Sequence, residues 1–153
     1  MNAPRIEPLP TPATCRYRNT CPSEATCRTM LAGLRVLHVE DDKIDRRHMD
    51  RMAAELRLDI TSVRTLDECE TALLYGRDYD ILIADLNLPD GRFTDLTWWR
   101  SYGPPTLILT GSRSFSRNED EVVRHCDLVL TKDELDLPTF IDRLWRLARL
   151  VRR

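Results

Sequence analysis

The sequence of 153 residues contains no apolar run that approaches the roughly 18 residues needed for a membrane-spanning helix. Its formal net charge of −2 provides no global field that would attract nucleic acid or an anionic membrane. No apolar stretch follows the first charged residues as it would in a secretory signal, and we therefore expect a cytoplasmic protein. Internal repeats are also absent. What is left is the composition and length of one globular domain with a tail.

The first part of the chain is rich in proline and poor in apolar periodicity. We expect a flexible extension over residues 1–33 and one folded domain over residues 34–153, so that removing residues 1–32 should leave the fold intact. Three cysteines, Cys15, Cys21 and Cys27, are evenly spaced in the extension, but no histidine nearby completes a zinc ligand set. Reduced thiols in a tail are the favoured interpretation, and metal or disulfide chemistry is the alternative.

Short apolar runs alternate with amphipathic segments from Arg35 onward, which is typical of a parallel sheet with crossover helices. The predicted strands are 35–40, 59–63, 80–85, 104–110 and 127–131, and the predicted helices are 43–56, 67–74, a short one holding Trp98 and Trp99, 118–125, and one that starts near Pro138. Right-handed crossovers then give an α/β fold, a flavodoxin-like doubly wound five-stranded parallel sheet of order 2-1-3-4-5 with five helices.

Three details of packing follow from the same pattern. His38, in the first strand, is expected to be a buried residue with its hydrogen bonds satisfied. The first helix should bury one face, and so should the last. The residues assigned to these faces are Ile44, Met49, Met52, Ala53 and Leu56 in the first helix, and Phe140, Ile141, Leu144, Leu147, Ala148 and Val151 in the last.

Polar residues follow four of the predicted strands, at the edge where doubly wound sheets bind ligands. They are Glu40 and Asp41, Asp85, Thr110 and Lys132. Each alone has an ordinary explanation as a helix cap, a turn residue or a solvated lysine. Together they favour one chemistry, because converging carboxylates repel one another unless they share a cation. An open site of this kind suits magnesium and a phosphoryl donor.

The same residues could carry out phosphoryl transfer. Asp85 can act as a carboxylate nucleophile that forms an acyl phosphate. Magnesium, the ammonium of Lys132 and the hydroxyl of Thr110 are available to bind the charge that spreads over the phosphoryl oxygens.

Four motifs now resemble those of bacterial two-component response-regulator receiver domains of the single-domain, stand-alone type. They are VEDD at 39–42, ILIADLNLPDG at 81–91, LILTGS at 107–112 and LVLTK at 128–132. The resemblance covers about Leu34 to Val151. It implies that Glu40 and Asp41 are the acidic pair at a Mg²⁺ site and that Asp85 is the phosphoacceptor.

The resemblance assigns three further roles. It implies that the backbone carbonyl of Asn87 completes the metal shell, that Thr110 is the switch hydroxyl, and that Lys132 pairs with the phosphate. The separation of 44 residues between Asp41 and Asp85 matches the family's usual spacing. Asp42 is therefore expected to be a helix cap rather than a ligand.

Two positions depart from the family's pattern. Val129 stands where the family often has an aromatic switch residue, and Asp133 stands after Lys132 where the family commonly has proline with a cis peptide bond. A non-proline cis bond would cost about 3–4 kcal/mol, so the local backbone should differ. The coupling from Thr110 to an output surface should differ as well.

The resemblance implies a phosphorylation-dependent signalling switch, not a conventional enzyme, that accepts a phosphoryl group from a sensor histidine kinase or a histidine phosphotransfer protein. Output would come from protein contacts, a homodimer among them, or from a phosphorelay, with no nucleic acid or membrane as partner. The alternative is a receiver-like interaction module that is not phosphorylated. A dehalogenase-type phosphatase would require an aspartate at the position of Asn87. A dinucleotide-binding domain would require glycines where the sequence reads VEDDKID.

Overall fold

The computed structural model describes residues 23–96, 103–111 and 126–151. The strands are β1 (Arg35–Val39), β2 (Asp59–Val63), β3 (Ile81–Asp85), β4 (Asn87–Leu88), β5 (Gly91–Arg92), β6 (Thr106–Thr110) and β7 (Leu128–Thr131). The α-helices are α1 (Glu24–Leu31), α2 (Lys43–Glu55), α3 (Leu66–Tyr75) and α4 (Leu137–Ala148), and single 3₁₀ turns span Phe93–Asp95 and Lys132–Glu134. No helix in these ranges is long and apolar enough to span a membrane.

The main sheet has five parallel strands in the order β2-β1-β3-β6-β7. β4 and β5 form a separate two-stranded antiparallel hairpin. When only the strands of the main sheet are numbered along the chain, their order is the predicted 2-1-3-4-5. Every residue of β3 and β6 is buried, because both strands lie inside the sheet and are covered on both faces. The predicted fold class is confirmed.

The core is split into two layers by the sheet. Alternating residues of one strand point to opposite faces, so Val36 belongs to the layer under α2 and α4 while Leu37 belongs to the layer under α3. Met49 of α2 and Leu56, the C-cap of that helix, are buried as predicted, but Ile44 is 76% exposed. The assignment of Ile44 to the buried face was wrong, because it lies about 140° from Met49 around the helix.

The last helix buries more than its predicted face. Phe140, Ile141, Leu144 and Leu147 are buried as expected, and so are Trp145 and Asp142. Asp142 forms ion pairs with Arg143 and Arg146 on its own helix, which compensate the burial of its charge.

Helix α1 lies inside the segment 1–33 that the sequence predicts to be a flexible extension. Cys27 and Leu31 are 0% exposed and belong to the same core layer as α4, which α1 contacts. Arg28 Nη1 donates a hydrogen bond of 3.3 Å to the carbonyl oxygen of Glu55 at the end of α2. Cys27 is disulfide-bonded, so the favoured interpretation of reduced thiols is wrong for this residue. Cys15 and Cys21 lie outside the described residues. We therefore move the proposed start of the domain from residue 34 to about Ser23, the N-cap of α1.

The number of helices can be compared with the prediction only in part. The predicted segments at Trp98 and Trp99 and at 118–125 lie outside the described residues. Within the described ranges, three α-helices match predicted ones, and α1 is an addition that was not predicted.

Candidate functional site

Glu40, Asp85, Thr110 and Lys132 lie where the sequence analysis placed them, at or just after the carboxyl ends of β1, β3, β6 and β7. Parallel pairing aligns these ends, with Asp85 opposite Leu109 and Thr110 opposite Thr131. Glu40 and Thr110 are 1% and 0% exposed, whereas Asp41 is exposed. Glu40 and Thr110 thus form the buried polar base of the site, and the carboxylate of Asp41 is open to solvent.

The ammonium group of Lys132 lies at the centre of the site. Its Nζ donates to Glu40 Oε2 at 2.8 Å, to Asp45 Oδ2 at 2.7 Å and to Asp85 Oδ2 at 3.0 Å. A lysine has three N–H donors, so these acceptors use its full capacity. The structure therefore brings Lys132, Glu40 and Asp85 together as the sequence predicts, and it adds Asp45.

Glu40, Asp41 and Asp85 each offer a carboxylate oxygen, and these oxygens lie within 4.8 Å of one another. Three carboxylates at this distance repel one another, and the single charge of Lys132 does not neutralise them. Oxygen donors with one exposed member suit a hard divalent cation that keeps part of its water shell. The residues present therefore fit magnesium.

The turn between β1 and α2 holds the acidic residues in place. Asp42 caps α2, as predicted, by accepting hydrogen bonds from the backbone N–H groups of Ile44 and Asp45, and its own N–H donates to Glu40 Oε1 at 3.0 Å. Arg46 Nη1 donates to the carbonyl oxygens of Glu40 and Asp41, each at 3.1 Å. The turn is fixed by its own side chains before any ion binds.

The charges of the site are strongly coupled. Burial raises the pKa of Glu40 to about 7, although hydrogen bonds from Lys132 and the Asp42 N–H oppose the shift. Burial would lower the pKa of Lys132, but its hydrogen bonds to Asp45, Glu40 and Asp85 outweigh burial and raise it. A second cation beside Glu40 would favour its ionised form.

A small cavity of about 40 Å³ adjoins Lys132. It is lined by His38, Glu40, Asp45, His48, Met49, Leu109, Lys132 and Leu135. His38 is buried as predicted, and burial, with Lys132 and Arg46 nearby, lowers its pKa to about 3. However, its Nδ1 has no hydrogen-bond partner among the described residues. A cavity of this size has room for water.

The loop after β3 is attached to α3. Asn87 N donates to Asp85 Oδ1 at 3.3 Å, and Asp90 accepts hydrogen bonds from the N–H groups of Leu66 and Asp67 at 2.8 and 3.0 Å. Gly91 adopts a φ of +143°, which favours glycine, at the turn into β5. These contacts place Asn87 beside Asp85.

Thr110 ends β6, and Lys132 follows the end of the neighbouring strand β7. The Thr110 hydroxyl donates to the carbonyl oxygen of Gly111 at 3.3 Å. No cis peptide bond occurs in the described ranges, so the bond from Lys132 to Asp133 is trans. A 3₁₀ turn over Lys132–Glu134 carries the chain away from β7. The backbone after Lys132 thus has no cis bond, in agreement with the expectation that it differs from the family's pattern.

Sequence reasoning missed Asp45 and Arg46 as part of the site. The predicted helix 43–56 includes Asp45, but the sequence analysis gave that residue no role. The sequence signal that could have identified Asp45 is its position, since a residue one helical turn after Asp41 stays near the strand end that carries Glu40.

Solved receiver domains have a similar fold. The receiver domain of the Francisella response regulator 1452 is 21% identical with a TM-score of 0.66, over 78% of this chain and 100% of that one. A CheY-like response-regulator receiver domain from Methylobacillus flagellatus is 20% identical with a TM-score of 0.64, over 76% and 99%. The signal receiver domain of a histidine kinase from Syntrophus aciditrophicus is 23% identical with a TM-score of 0.67, over 80% and 94%.

Sequence comparison alone finds no relationship. No protein-family model matches the chain, and no curated protein matches it significantly. The solved structures show that the chain has the fold of response-regulator receiver domains.

Proposed function

We propose that this chain is a phosphorylation-dependent signalling switch that accepts a phosphoryl group on Asp85 with the help of Mg²⁺. The observation that carries the proposal is the contact of one ammonium, Lys132 Nζ, with both Asp85 and Glu40, next to the exposed carboxylate of Asp41. A nucleophile, a fixed positive charge and an acidic metal pocket are what phosphoryl transfer requires.

Glu40, Asp41, Asp85 and the backbone carbonyl of Asn87 would hold the magnesium ion. When bound, the ion supplies positive charge that draws the phosphoryl oxygens to the acidic pocket and offsets their developing charge. The exposed position of Asp41 leaves that side open for a phosphoryl donor.

In the transfer step, one carboxylate oxygen of Asp85 attacks phosphorus in line with the leaving nitrogen of a phosphohistidine. A P–O bond forms, the P–N bond breaks, and the electron pair of that bond returns to the imidazole. Lys132 can donate to a phosphoryl oxygen because its 3.0 Å bond to Asp85 weakens once that carboxylate becomes an acyl phosphate. The hydroxyl of Thr110 would leave the carbonyl of Gly111 and bind a second phosphoryl oxygen.

The donor would be a sensor histidine kinase or a histidine phosphotransfer protein in the cytoplasm, and no nucleic-acid or membrane partner is proposed. The protein would act as a switch rather than as a conventional enzyme, since it carries the phosphoryl group itself and later hydrolyses it. Output would pass through protein contacts, with homodimerisation as one form, or through a further relay step.

The alternative function is a receiver-like module that binds partners without being phosphorylated. Incubating the full chain with a small-molecule phosphodonor separates the two, with and without magnesium. We expect intact mass to show one added phosphoryl group that disappears when magnesium is chelated. An unchanged mass in the presence of magnesium and excess donor would favour the binding module.

Asp41 and Asp42 should separate by role. Asp41→Ala should weaken magnesium binding by roughly tenfold or more, because it removes a carboxylate from the pocket. Asp42→Ala should leave magnesium affinity nearly unchanged and lower Tm by a few degrees, because it removes the cap of α2. Magnesium titrations followed by backbone amide shifts, together with thermal unfolding, check both. A larger loss of affinity in Asp42→Ala would contradict the assignment of the inner acid.

A further inference from the structure

The three carboxylates that accept hydrogen bonds from Lys132 differ in their other roles at the site. Glu40 Oε2 and Asp85 Oδ2 accept from Nζ at 2.8 and 3.0 Å, yet both carboxylates belong to the proposed metal pocket. A divalent cation would compete with the ammonium for both and would repel it. Phosphorylation would then remove the charge of Asp85 altogether. Two of the three bonds that hold Lys132 are therefore weakened during the proposed reaction.

Asp45 is different in this respect. It makes the shortest of the three contacts, 2.7 Å, and it lies on α2 rather than at the end of a strand. It is absent from the carboxylate cluster that could hold a metal ion. Its side chain is 43% exposed, so its charge costs less to keep than that of Glu40, which is 1% exposed.

The first turn of α2 holds Asp45 in position. The N–H of Asp45 donates to Asp42 Oδ1 at 2.9 Å. Arg46 Nη1 donates to the carbonyl oxygens of Glu40 and Asp41. These contacts use no carboxylate of the metal pocket, so a ligand at the strand ends does not compete for them.

We propose that Asp45 is a positioning residue that retains the Lys132 ammonium at the site while Glu40 and Asp85 engage the metal and the phosphoryl group. The proposal rests on the proposed function. Without Asp45, the third N–H of Lys132 turns to water and the ammonium pivots about Glu40, so it reaches the phosphoryl oxygens in fewer of its conformations.

The test measures the rate constant of phosphorylation from a small-molecule phosphodonor at saturating magnesium. Asp45→Asn should lower it about tenfold, whereas Asp45→Glu, which keeps a carboxylate within reach, should recover most of it. Asp50→Asn removes the same charge from an exposed position on the same helix and should match the wild type. Magnesium affinity should change less than about threefold in all three variants, because Asp45 is outside the metal cluster.

A double-mutant cycle separates action through Lys132 from other effects. In a Lys132→Met background, the further change Asp45→Asn should alter the remaining rate less than about twofold. An equal tenfold loss in that background, a wild-type rate in Asp45→Asn, or a failure of Asp45→Glu to recover the rate would each overturn the proposal. An unlabelled wild type would overturn the proposed function too, whereas a labelled wild type with an unaffected Asp45→Asn overturns only the role of Asp45.

Discussion

Asp85→Asn should abolish phosphorylation by kinase and small-molecule donors alike. An amide nitrogen or oxygen cannot replace the carboxylate as a nucleophile, and the rate depends on a single attacking group. The fold should persist, because the swap is nearly isosteric and Lys132 keeps its contacts to Glu40 and Asp45. Stability should hold or rise, since one of the mutually repelling carboxylates loses its charge.

The measurement is intact mass after incubation with donor and magnesium, with Tm recorded in parallel. Asp78→Asn is the matched control, because it removes the same charge from an exposed position just before β3. Label on the wild type and on Asp78→Asn should be lost on treatment with hydroxylamine, which cleaves acyl phosphates. If Asp85→Asn were labelled as strongly as the wild type, the acceptor would be another residue and the assignment of Asp85 would be wrong.

The positions of Glu40, Asp85, Thr110 and Lys132 could be predicted from the sequence because a parallel sheet leaves little choice. Once the strands are assigned, their carboxyl ends share one edge, and residues that follow them meet there. The continuous apolar run that ends at Asp85 indicated the central strand, since such a run is typical of a strand covered on both faces, as Ile81–Asp85 is.

The role of Asp45 could not be predicted in the same way. Its contact with Lys132 joins residues 87 positions apart, and it depends on how the first turn of α2 is rotated relative to the sheet. Hydrophobic periodicity does not determine that rotation closely, and for the same reason Ile44 was assigned to the buried face. The lack of a partner for His38 Nδ1 in the described part of the chain was also beyond prediction, because it depends on a small cavity rather than on the chain's pattern.

Helix α1 was missed because its neighbours in sequence are polar and rich in proline, which favours disorder. Its own residues carry a helix signal, with Ser23 as a cap and Cys27 and Leu31 four residues apart on one face. Such a short amphipathic segment has no stable helix of its own. Its contact with α4 supplies the burial that stabilises it.

Removing residues 1–32 should therefore destabilise the domain, contrary to what the sequence suggests, whereas removing residues 1–22 should not. Leu31 is fully buried, and deleting a buried leucine side chain typically costs about 2–5 kcal/mol. Loss of α1 also exposes the part of the core layer that it covers on α4. We expect Tm to fall by roughly 10–20 °C in the longer deletion.

Thermal unfolding of both deletions should be measured with a reductant present, so that the disulfide of Cys27 does not contribute. Leu31→Ala in the full chain should reproduce most of the loss, while Met30→Ala, at the exposed neighbour on the same helix, should stay close to the wild type. Equal Tm values for the two deletions would show that α1 adds nothing to the core and would restore the boundary at residue 34. If Leu31→Ala is destabilised but still phosphorylated, α1 serves the stability of the domain and not the chemistry at Asp85, since its buried contacts are to the layer under α2 and α4.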